Sequence, residues 1–233
     1  MKTIVISLFS FSILSSCIVI DTNGKGNYGS YLKGDSTEAV NYAKQPMESH
    51  EFFVRNFSEI KASSGMKFFI RKSDRQKVVV NSNASGSITV SSENGVLNVN
   101  YDRKVSMKNV STEVIVYTNQ FQKLRAEAAG KIIIEDDFEL EHLSIDLNSA
   151  AHLTGNVFAK KLQLVATSAS GADLKVQADK ISVEATSVSK VNLEGITDKI
   201  NIEATSASKV YIENLKYNTI DKEITTLGKI YAK

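Results

Sequence analysis

The chain has 233 residues, of which 42% are hydrophobic and only one is proline, a composition that suits one globular domain behind a leader. Its 28 basic residues nearly balance its 26 acidic residues, leaving a formal charge of +2. That charge provides no field to attract nucleic acid, so we expect no nucleic-acid partner. The single cysteine excludes an intramolecular disulfide.

The first twenty residues have the pattern of an export signal. A positive start is followed by an apolar core over residues 4–14 and then by the tetrapeptide LSSC, which ends at Cys17. This tetrapeptide resembles the bacterial lipobox, in which the cysteine becomes the acylated N-terminus. We predict a lipoprotein signal peptide over residues 1–16 and lipidation of Cys17. An uncleaved membrane anchor and an ordinary signal peptide with an unused thiol are the alternatives.

Residues 17–50 have the composition of a linker. Glycine, asparagine and serine are interleaved at its start, and the apolar residues follow no period. Such a segment does not bury enough surface to fold. We predict a lipid-anchored flexible tether here, with a helical turn around residues 37–43.

From residue 51 onward the sequence predicts a folded domain that runs to residue 233. Its first part alternates short apolar runs with polar turns, which indicates strands at 57–62, 66–71, 77–81, 87–91, 96–101 and 114–118. These copies are irregular. Irregularity is expected of the terminal rungs of a solenoid, because they cover an open sheet edge.

The second part of the domain repeats a 19-residue unit three times, as LQLVATSASGADLKVQADK, ISVEATSVSKVNLEGITDK and INIEATSASKVYIENLKYN. A unit this short buries its apolar side only by stacking on its neighbours. Its apolar residues alternate, as in Ile181, Val183 and Ala185, which indicates strands. We therefore predict an all-β solenoid whose narrow lumen is filled by side chains. A leucine-rich repeat is the rival by period, but its leucine frame is missing.

Three segments resemble a known family. They are RNFSEIKASSGMKFFI at 55–70, KVVV at 77–80 and GVL at 95–97, together with the small-residue turns. They resemble the putative autotransporter adhesin head family, also called the GIN domain, from roughly Phe52 to the C-terminus. The resemblance implies a right-handed parallel β-helix, here with irregular N-terminal rungs, in a secreted or lipid-anchored protein.

The turns depart from the family pattern. Family turns usually read Ser-Gly-Ser-Gly, whereas the turns of this chain read TSASG, TSVSK and TSASK. Because glycine is the residue that adopts positive φ without strain, its loss predicts turns with little positive-φ backbone.

Stacking the copies sorts outward residues into columns whose members lie ~4.8 Å apart. One column reads Thr154, Asp173, Asn192, Tyr211 and Tyr231. Its last four members are our candidate surface-binding residues. The two tyrosines are suited to a sugar or to a second protomer, and simple packing over the last rungs is the alternative.

Two charged columns flank the turns. One reads Asp146, Val165, Glu184, Glu203 and Glu223, and the other reads His152, Gly171, Lys190, Lys209 and Lys229. Stacked like charges repel, so we expect each column to take its counter-charge from the other, six residues along the rung. Calcium on the acidic column is the alternative, but Val165 interrupts it and no calcium loop occurs. We predict no metal and no cofactor.

Catalytic signals are weak. Many β-helices cleave polysaccharides with converging carboxylates, for which this chain offers Glu135–Asp137, Asp173 and the histidines His50, His142 and His152. Residues 135–137 are best interpreted as a solvated acidic turn. The sequence has no Ser-His-Asp order, zinc spacing or phosphate-binding loop, and we predict no catalytic residue.

Together these observations predict a non-catalytic lipoprotein of the bacterial cell envelope, at the outer membrane, that presents an adhesin-like β-solenoid. Its partners would be the membrane, through the lipid anchor, and a glycan or protein ligand. The alternatives are a polysaccharide-processing enzyme and an envelope scaffold that contacts only proteins. The exposed C-terminal edge is predicted either to pair with a second chain or to be short and twisted enough to stay monomeric.

Overall fold

The computed structural model of the protein describes residues 39–101 and 106–233. The predicted signal peptide, Cys17 and the tether up to residue 38 lie outside the described residues. The one short helix within the described ranges has neither the length nor the hydropathy to traverse a bilayer. Everything else that is regular is strand.

The first strands are β1 (Val40–Asn41), β2 (Glu48–Phe52), β3 (Glu59–Ala62), β4 (Lys67–Lys72), β5 (Lys77–Ser82), β6 (Ile88–Glu93), β7 (Val96–Tyr101), β8 (Met107–Lys108) and β9 (Thr112–Thr118), with a 3-10 helix at Ser85–Ser87. The later strands are β10 (Lys123–Ala126), β11 (Lys131–Ile134), β12 (Glu139–Leu147), β13 (His152–Ala166), β14 (Gly171–Ala185), β15 (Lys190–Ala204), β16 (Lys209–Ile224) and β17 (Lys229–Tyr231).

The later strands stack in parallel, and the predicted β-solenoid is confirmed. β13 pairs with β14, and β14 with β15, so that Ala185 lies directly between Ala166 and Ala204. The step between paired residues is 19 until a bulge between Asn192 and Glu194 in the pairing with β16 raises it to 20. The 19-residue repeat of the sequence is therefore the rung of the structure.

Alternate residues of each rung fill the lumen. In β14 the side chains of Ile181, Val183 and Ala185 are at most 2% exposed, and their equivalents in the neighbouring rungs are also buried. Each large aliphatic side chain buried in this way contributes about 1.5–3 kcal/mol. The alternation breaks once per rung, at pairs of exposed residues such as Asp179–Lys180, where strand pairing also skips a residue. This break marks the second corner of the rung.

The first corner is a four-residue turn. The expectation that these turns have little positive-φ backbone was wrong. In the turn from Thr167 to Ser170, the N–H of Ser170 donates to the C=O of Thr167 at 3.1 Å. Both central residues have positive φ, 54° at Ser168 and 60° at Ala169, and the other rungs repeat this geometry. Two consecutive left-handed residues define a type I′ turn. The turns thus use positive φ throughout, although the described turns have almost no glycine at these positions.

Stacking explains how non-glycine residues hold this conformation. A left-handed residue other than glycine costs roughly 1–2 kcal/mol. In each rung the N–H of the third turn residue donates to the C=O of the second residue in the next turn, for example from Ala169 to Ser187 at 2.9 Å. At the fourth position the buried hydroxyls of Ser170 and Ser208 donate to the carbonyls of Leu147 and Ala185 at 3.1 and 2.8 Å. The ladder offsets the strain because each turn satisfies polar groups of its neighbour.

Antiparallel strands cover the N-terminal end of the stack. β3 and β4 form the first rung, and the predicted strands of this region are found within two residues at each end. β7 and β9 add to that rung in parallel, but β6 then pairs antiparallel to β7, while β5 and β2 continue antiparallel from β9. These hairpins cover an edge that a further parallel rung would leave open.

The predicted domain boundary and helical turn differ from the structure. β2 begins at Glu48, so the ordered pairing starts before residue 51. Val40 and Asn41, inside the predicted turn, instead pair in parallel with Met107 and Lys108. Local sequence does not predict this pairing, because the partner strand lies more than 60 residues further along the chain.

The last rung carries a charge in an inward column. Successive rungs place Ile145, Leu164, Val183 and Ile202 in one buried column, and the next member in register is Lys222, which is exposed at the end of the stack. Among the described strands, the part of β16 around Lys222 pairs only with β15. An inward-pointing charge at an edge discourages pairing with another chain. Self-association through this edge stays a prediction, and Lys222 weighs against it.

We predict that Val188→Gly stabilises the protein by about 1 kcal/mol, because glycine removes the strain of a β-branched residue at φ 66° and part of that gain is lost to unfolded-state entropy. Urea unfolding followed by circular dichroism measures the change. Lys175→Gly, at an exposed strand position outside the left-handed region, is the control and should destabilise. Equal destabilisation by both variants would contradict the turn assignment.

Lys222→Val should promote self-association, because it extends a buried apolar column to an open strand edge. Light scattering on the soluble chain beginning after Cys17 should show monomer for the wild type and larger species for the variant. Lys216→Val, on the outward side of the same strand, is the matched control. A stable wild-type dimer, or a Lys222→Val variant that behaves like the control, argues against the protective role.

Candidate binding surface

The structure brings the four candidate residues together in one outward column. Asp173 pairs with Asn192, Asn192 with Tyr211, and Tyr211 with Tyr231, on the consecutive strands β14 to β17. Their backbones are held by the parallel ladder, so the side chains are set at the spacing of the rungs. This is the arrangement that the repeat predicts, and their role in binding stays a prediction.

The two tyrosines stack face to face. Their ring centroids are 4.6 Å apart and their planes differ by 5°. The ammonium group of Lys190, one rung before Tyr211, lies over the Tyr211 ring at 5.3 Å from its centroid, a cation–π contact. Both faces of Tyr211 are therefore occupied, and a ligand reaches its edge and hydroxyl. Among the described residues, the other face of the Tyr231 ring has no aromatic or cation–π contact.

Asp173 is engaged by a histidine of the preceding rung. Nε2 of His152 lies 3.1 Å from Oδ2 of Asp173, and both side chains are about half exposed. Gly171 makes room for this contact, because a Cβ there would come within 2.9 Å of Nδ1 of His152. The glycine between His152 and Lys190 in the basic column was the sequence signal for this pair, which sequence reasoning missed.

The charged columns have the predicted register, but they do not neutralise each other across the turn. Among the described residues, no ion pair joins Glu184 or Glu203 to Lys190 or Lys209. Where the acidic column forms an ion pair, as between Lys123 and Asp146 at 2.8 Å, the partner lies on the adjacent rung. The two columns stand on opposite sides of the turn and are separated by it. A residue on the adjacent rung is only ~4.8 Å away, so a charged side chain reaches a partner there more easily. The expected pairing six residues along the rung was therefore wrong.

The acidic turn at residues 135–137 has structural contacts. Glu135 forms an ion pair with Arg71, and this hydrogen bond raises the pKa of the Arg71 guanidinium. Oδ2 of Asp136 accepts the backbone N–H of Lys72 at 2.7 Å, and Oδ1 of Asp137 accepts Nδ2 of Asn156 at 3.0 Å. These contacts tie neighbouring rungs together, in line with a structural role for the turn.

The remaining histidines lie apart from the column. His142 pairs in register with Lys161, which heads a run of lysines at the second corner. His50 lies in β2, 3.5 Å from a carboxylate oxygen of Glu48. Within residues 39–101 and 106–233, no group of three or more histidine, cysteine, aspartate or glutamate side chains is placed to hold a metal ion.

The sequence analysis missed an apolar continuation of the tyrosine column. In register before Thr154 stand Ile133, Phe69, Ile115 and Val79, all half-buried and on the outward side of the sheet. The column that runs from Val79 through Thr154 to Tyr231 is called the outer stripe below. The signal was present in the runs KVVV, KFFI, EVIV and KIII, each with an apolar residue where alternation would place a polar one.

Comparison with known proteins places this geometry in a family. A family model described as "Putative auto-transporter adhesin, head GIN domain" matches residues 56–233. The chain belongs to this family. The resemblance seen in the sequence is thereby confirmed. No curated protein matches the sequence of this GIN-domain protein.

Solved structures share its fold. A putative adhesin from Parabacteroides distasonis ATCC 8503 has a TM-score of 0.78 at 14% identity, with 84% of each chain covered. A putative lipid binding protein from the same strain has a TM-score of 0.67 at 14% identity, over 84% of this chain and 100% of that one. A putative adhesin from Bacteroides fragilis NCTC 9343 has a TM-score of 0.64 at 14% identity, over 84% and 99%.

Proposed function

We propose that this GIN-domain protein is a lipid-anchored lipoprotein of the bacterial cell envelope, at the outer membrane, whose β-solenoid binds a glycan or protein ligand without catalysis. The observation that carries the proposal is the outer stripe, a continuous outward column of apolar, polar and aromatic side chains that crosses the stacked rungs. Apolar and aromatic side chains that stay partly accessible and are concentrated in one place mark interaction surfaces.

The scaffold suits binding for an energetic reason. The outer stripe projects from strands paired on both sides over most of its length, so these side chains lose little backbone freedom when a ligand binds. Neighbouring rungs place groups of similar character side by side at both ends of the stripe, so a ligand with its own repeat makes several contacts at once, and linked contacts add avidity.

The comparisons support binding as the class of function. The family is described by an adhesin head, which is a cell-surface role, and two of the similar structures are described as putative adhesins and one as a putative lipid binding protein. At 14% identity these structures show the shared fold alone.

The leader sequence supports the lipid anchor. The tetrapeptide LSSC ends the apolar leader at Cys17, and two or more acyl chains hold a protein stably to a bilayer. The tether that follows would hold the solenoid away from the membrane and leave its outer stripe accessible.

In a bacterial host fed an alkyne-tagged palmitate, we expect the wild-type protein to carry the label and to fractionate with membranes. Cys17→Ser should abolish the label, because the acylated thiol is gone. Ser16→Ala, which keeps a small residue before the cysteine, is the control and should remain labelled. A labelled Cys17→Ser protein would contradict the lipid anchor.

On a glycan array, the soluble chain beginning after Cys17 should bind a defined set of glycans, also after removal of divalent metal. Tyr211→Ala with Tyr231→Ala should weaken that binding at least about tenfold, since truncating interface aromatics commonly costs more than 1 kcal/mol. Tyr117→Ala, another outward tyrosine beneath a lysine, is the matched control, and thermal unfolding shows whether each variant folds.

Two outcomes would contradict the proposed function. New reducing or unsaturated ends on incubation with a polysaccharide would indicate an enzyme. A scaffold that contacts only proteins would be indicated by three results together. The protein binds no glycan, crosslinking in cells recovers one stoichiometric envelope protein, and the outer stripe variants leave that protein contact unchanged.

A further inference from the structure

We infer that the ligand is an acidic polysaccharide chain that lies along the solenoid axis, with its anionic groups on Lys190, Lys209 and Lys229 and its hydroxyls against Asn192, Tyr211 and Tyr231. This inference rests on the proposed binding function and names its ligand class. The two sets of residues form neighbouring outward columns on the same three rungs.

The three lysines are stacked with no carboxylate partner among the described residues, although the Lys190 ammonium lies over the Tyr211 ring. Lys190 pairs in register with Lys209, and Lys209 with Lys229, and all three are exposed. Within the described part of the chain no carboxylate forms an ion pair with any of them, since the pairs that exist involve other residues. Like charges in direct register destabilise a sheet. A bound chain of negative charges would remove that repulsion.

A second lysine run, likewise without an ion pair among the described residues, differs in having acidic neighbours along the chain. Lys161, Lys180 and Lys199 also stack in register, at the second corner of the rungs. There an aspartate directly precedes Lys180 and another precedes Lys199. The run beside the tyrosines has neutral neighbours instead, because the next outward residues along those rungs are Asn192, Tyr211 and Tyr231.

The geometry favours a sugar polymer over other polyanions. The lysines recur once per rung, ~4.8 Å apart, and a sugar residue in an extended polysaccharide advances about as far. The spacing of the lysines therefore matches the advance of such a chain along the solenoid axis, so its acid groups can reach the column at several rungs. The side-chain amide of Asn192 and the tyrosine hydroxyls, which have no hydrogen-bond partner among the described residues, provide donors and acceptors for sugar hydroxyls.

Other anionic partners fit less well. A membrane surface presents a broad plane of head groups, which a single column of cations engages along one line only. Nucleic acid binding relies on basic patches and on a strongly positive field, and the formal charge of the chain is only +2.

The test is calorimetric titration of the soluble chain beginning after Cys17 with polygalacturonate, which carries one carboxylate per sugar. Its methyl ester is the uncharged control, and polyglutamate is the polyanion without sugars. We expect binding of polygalacturonate that weakens with added salt. The triple variant K190Q/K209Q/K229Q should lose at least about tenfold in affinity, and Lys→Arg at the same positions should retain most of it.

The triple variant K161Q/K180Q/K199Q removes the same charge from the second lysine run and should bind as the wild type does. If both triple variants lose the same affinity for polygalacturonate, the effect is one of net charge, and the proposed site is wrong. Equal binding of polyglutamate would overturn the sugar, and lysine-dependent binding only to phosphatidylglycerol vesicles would assign the column to a membrane.

Failure of this inference is distinguishable from failure of the proposed function. If the glycan array shows binding to neutral glycans that depends on Tyr211 and Tyr231, while polygalacturonate does not bind, the protein remains a glycan-binding protein and the acidic ligand is wrong. If neither neutral nor acidic glycans bind, both fail together.

Discussion

Parallel pairing between rungs, at a constant step of 19 residues over the central strands, is the constraint on which the rest of this structure depends. It turns residues that are far apart in sequence into neighbours ~4.8 Å apart. The lumen is filled because aliphatic residues recur at inward positions of each rung. The surface has columns for the same reason, since whatever recurs outward is repeated along the axis.

The turns show how strongly the stack controls local conformation. A type I′ turn usually demands glycine or asparagine at both central positions, yet Ser187 and Val188 adopt it here. Isolated from its neighbours, such a turn would be strained. Within the stack, the N–H of Val188 donates to Ser206 at 3.0 Å, and each turn fixes the next one. The local preference is weak compared with a hydrogen-bond ladder that repeats at every rung.

The surface follows from the same repetition. At the N-terminal end the outer stripe is aliphatic and aromatic, from Val79 to Ile133, and towards the C-terminus it becomes polar and ends in stacked tyrosines. Beside that end stand three lysines without counter-charges among the described residues. Repetition is costly for like charges and favourable for a ligand that repeats, which is why this surface is the natural place to seek function.

Much of the candidate site could be predicted from the sequence because it lies inside the regular repeat. Lining up the copies was enough to place Asp173, Asn192, Tyr211 and Tyr231 in one column. The apolar part of the outer stripe, from Val79 to Ile133, could not be placed. It depends on β5 and β9, which pair antiparallel to each other and lie outside the repeat. No period connects those strands, and their register is set by long-range packing.

The sequence by itself determined the parallel stack, its step, its core residues and the membership of its later columns, because a near-perfect repeat makes every rung an equivalent environment. Only the tertiary structure decided the antiparallel cover at the N-terminal end, the positive φ of the turns and the partners of the charged side chains. Those features depend on contacts between a rung and a strand outside the repeat, or on the direction of side chains at a corner. Neither is encoded in the spacing of equivalent residues.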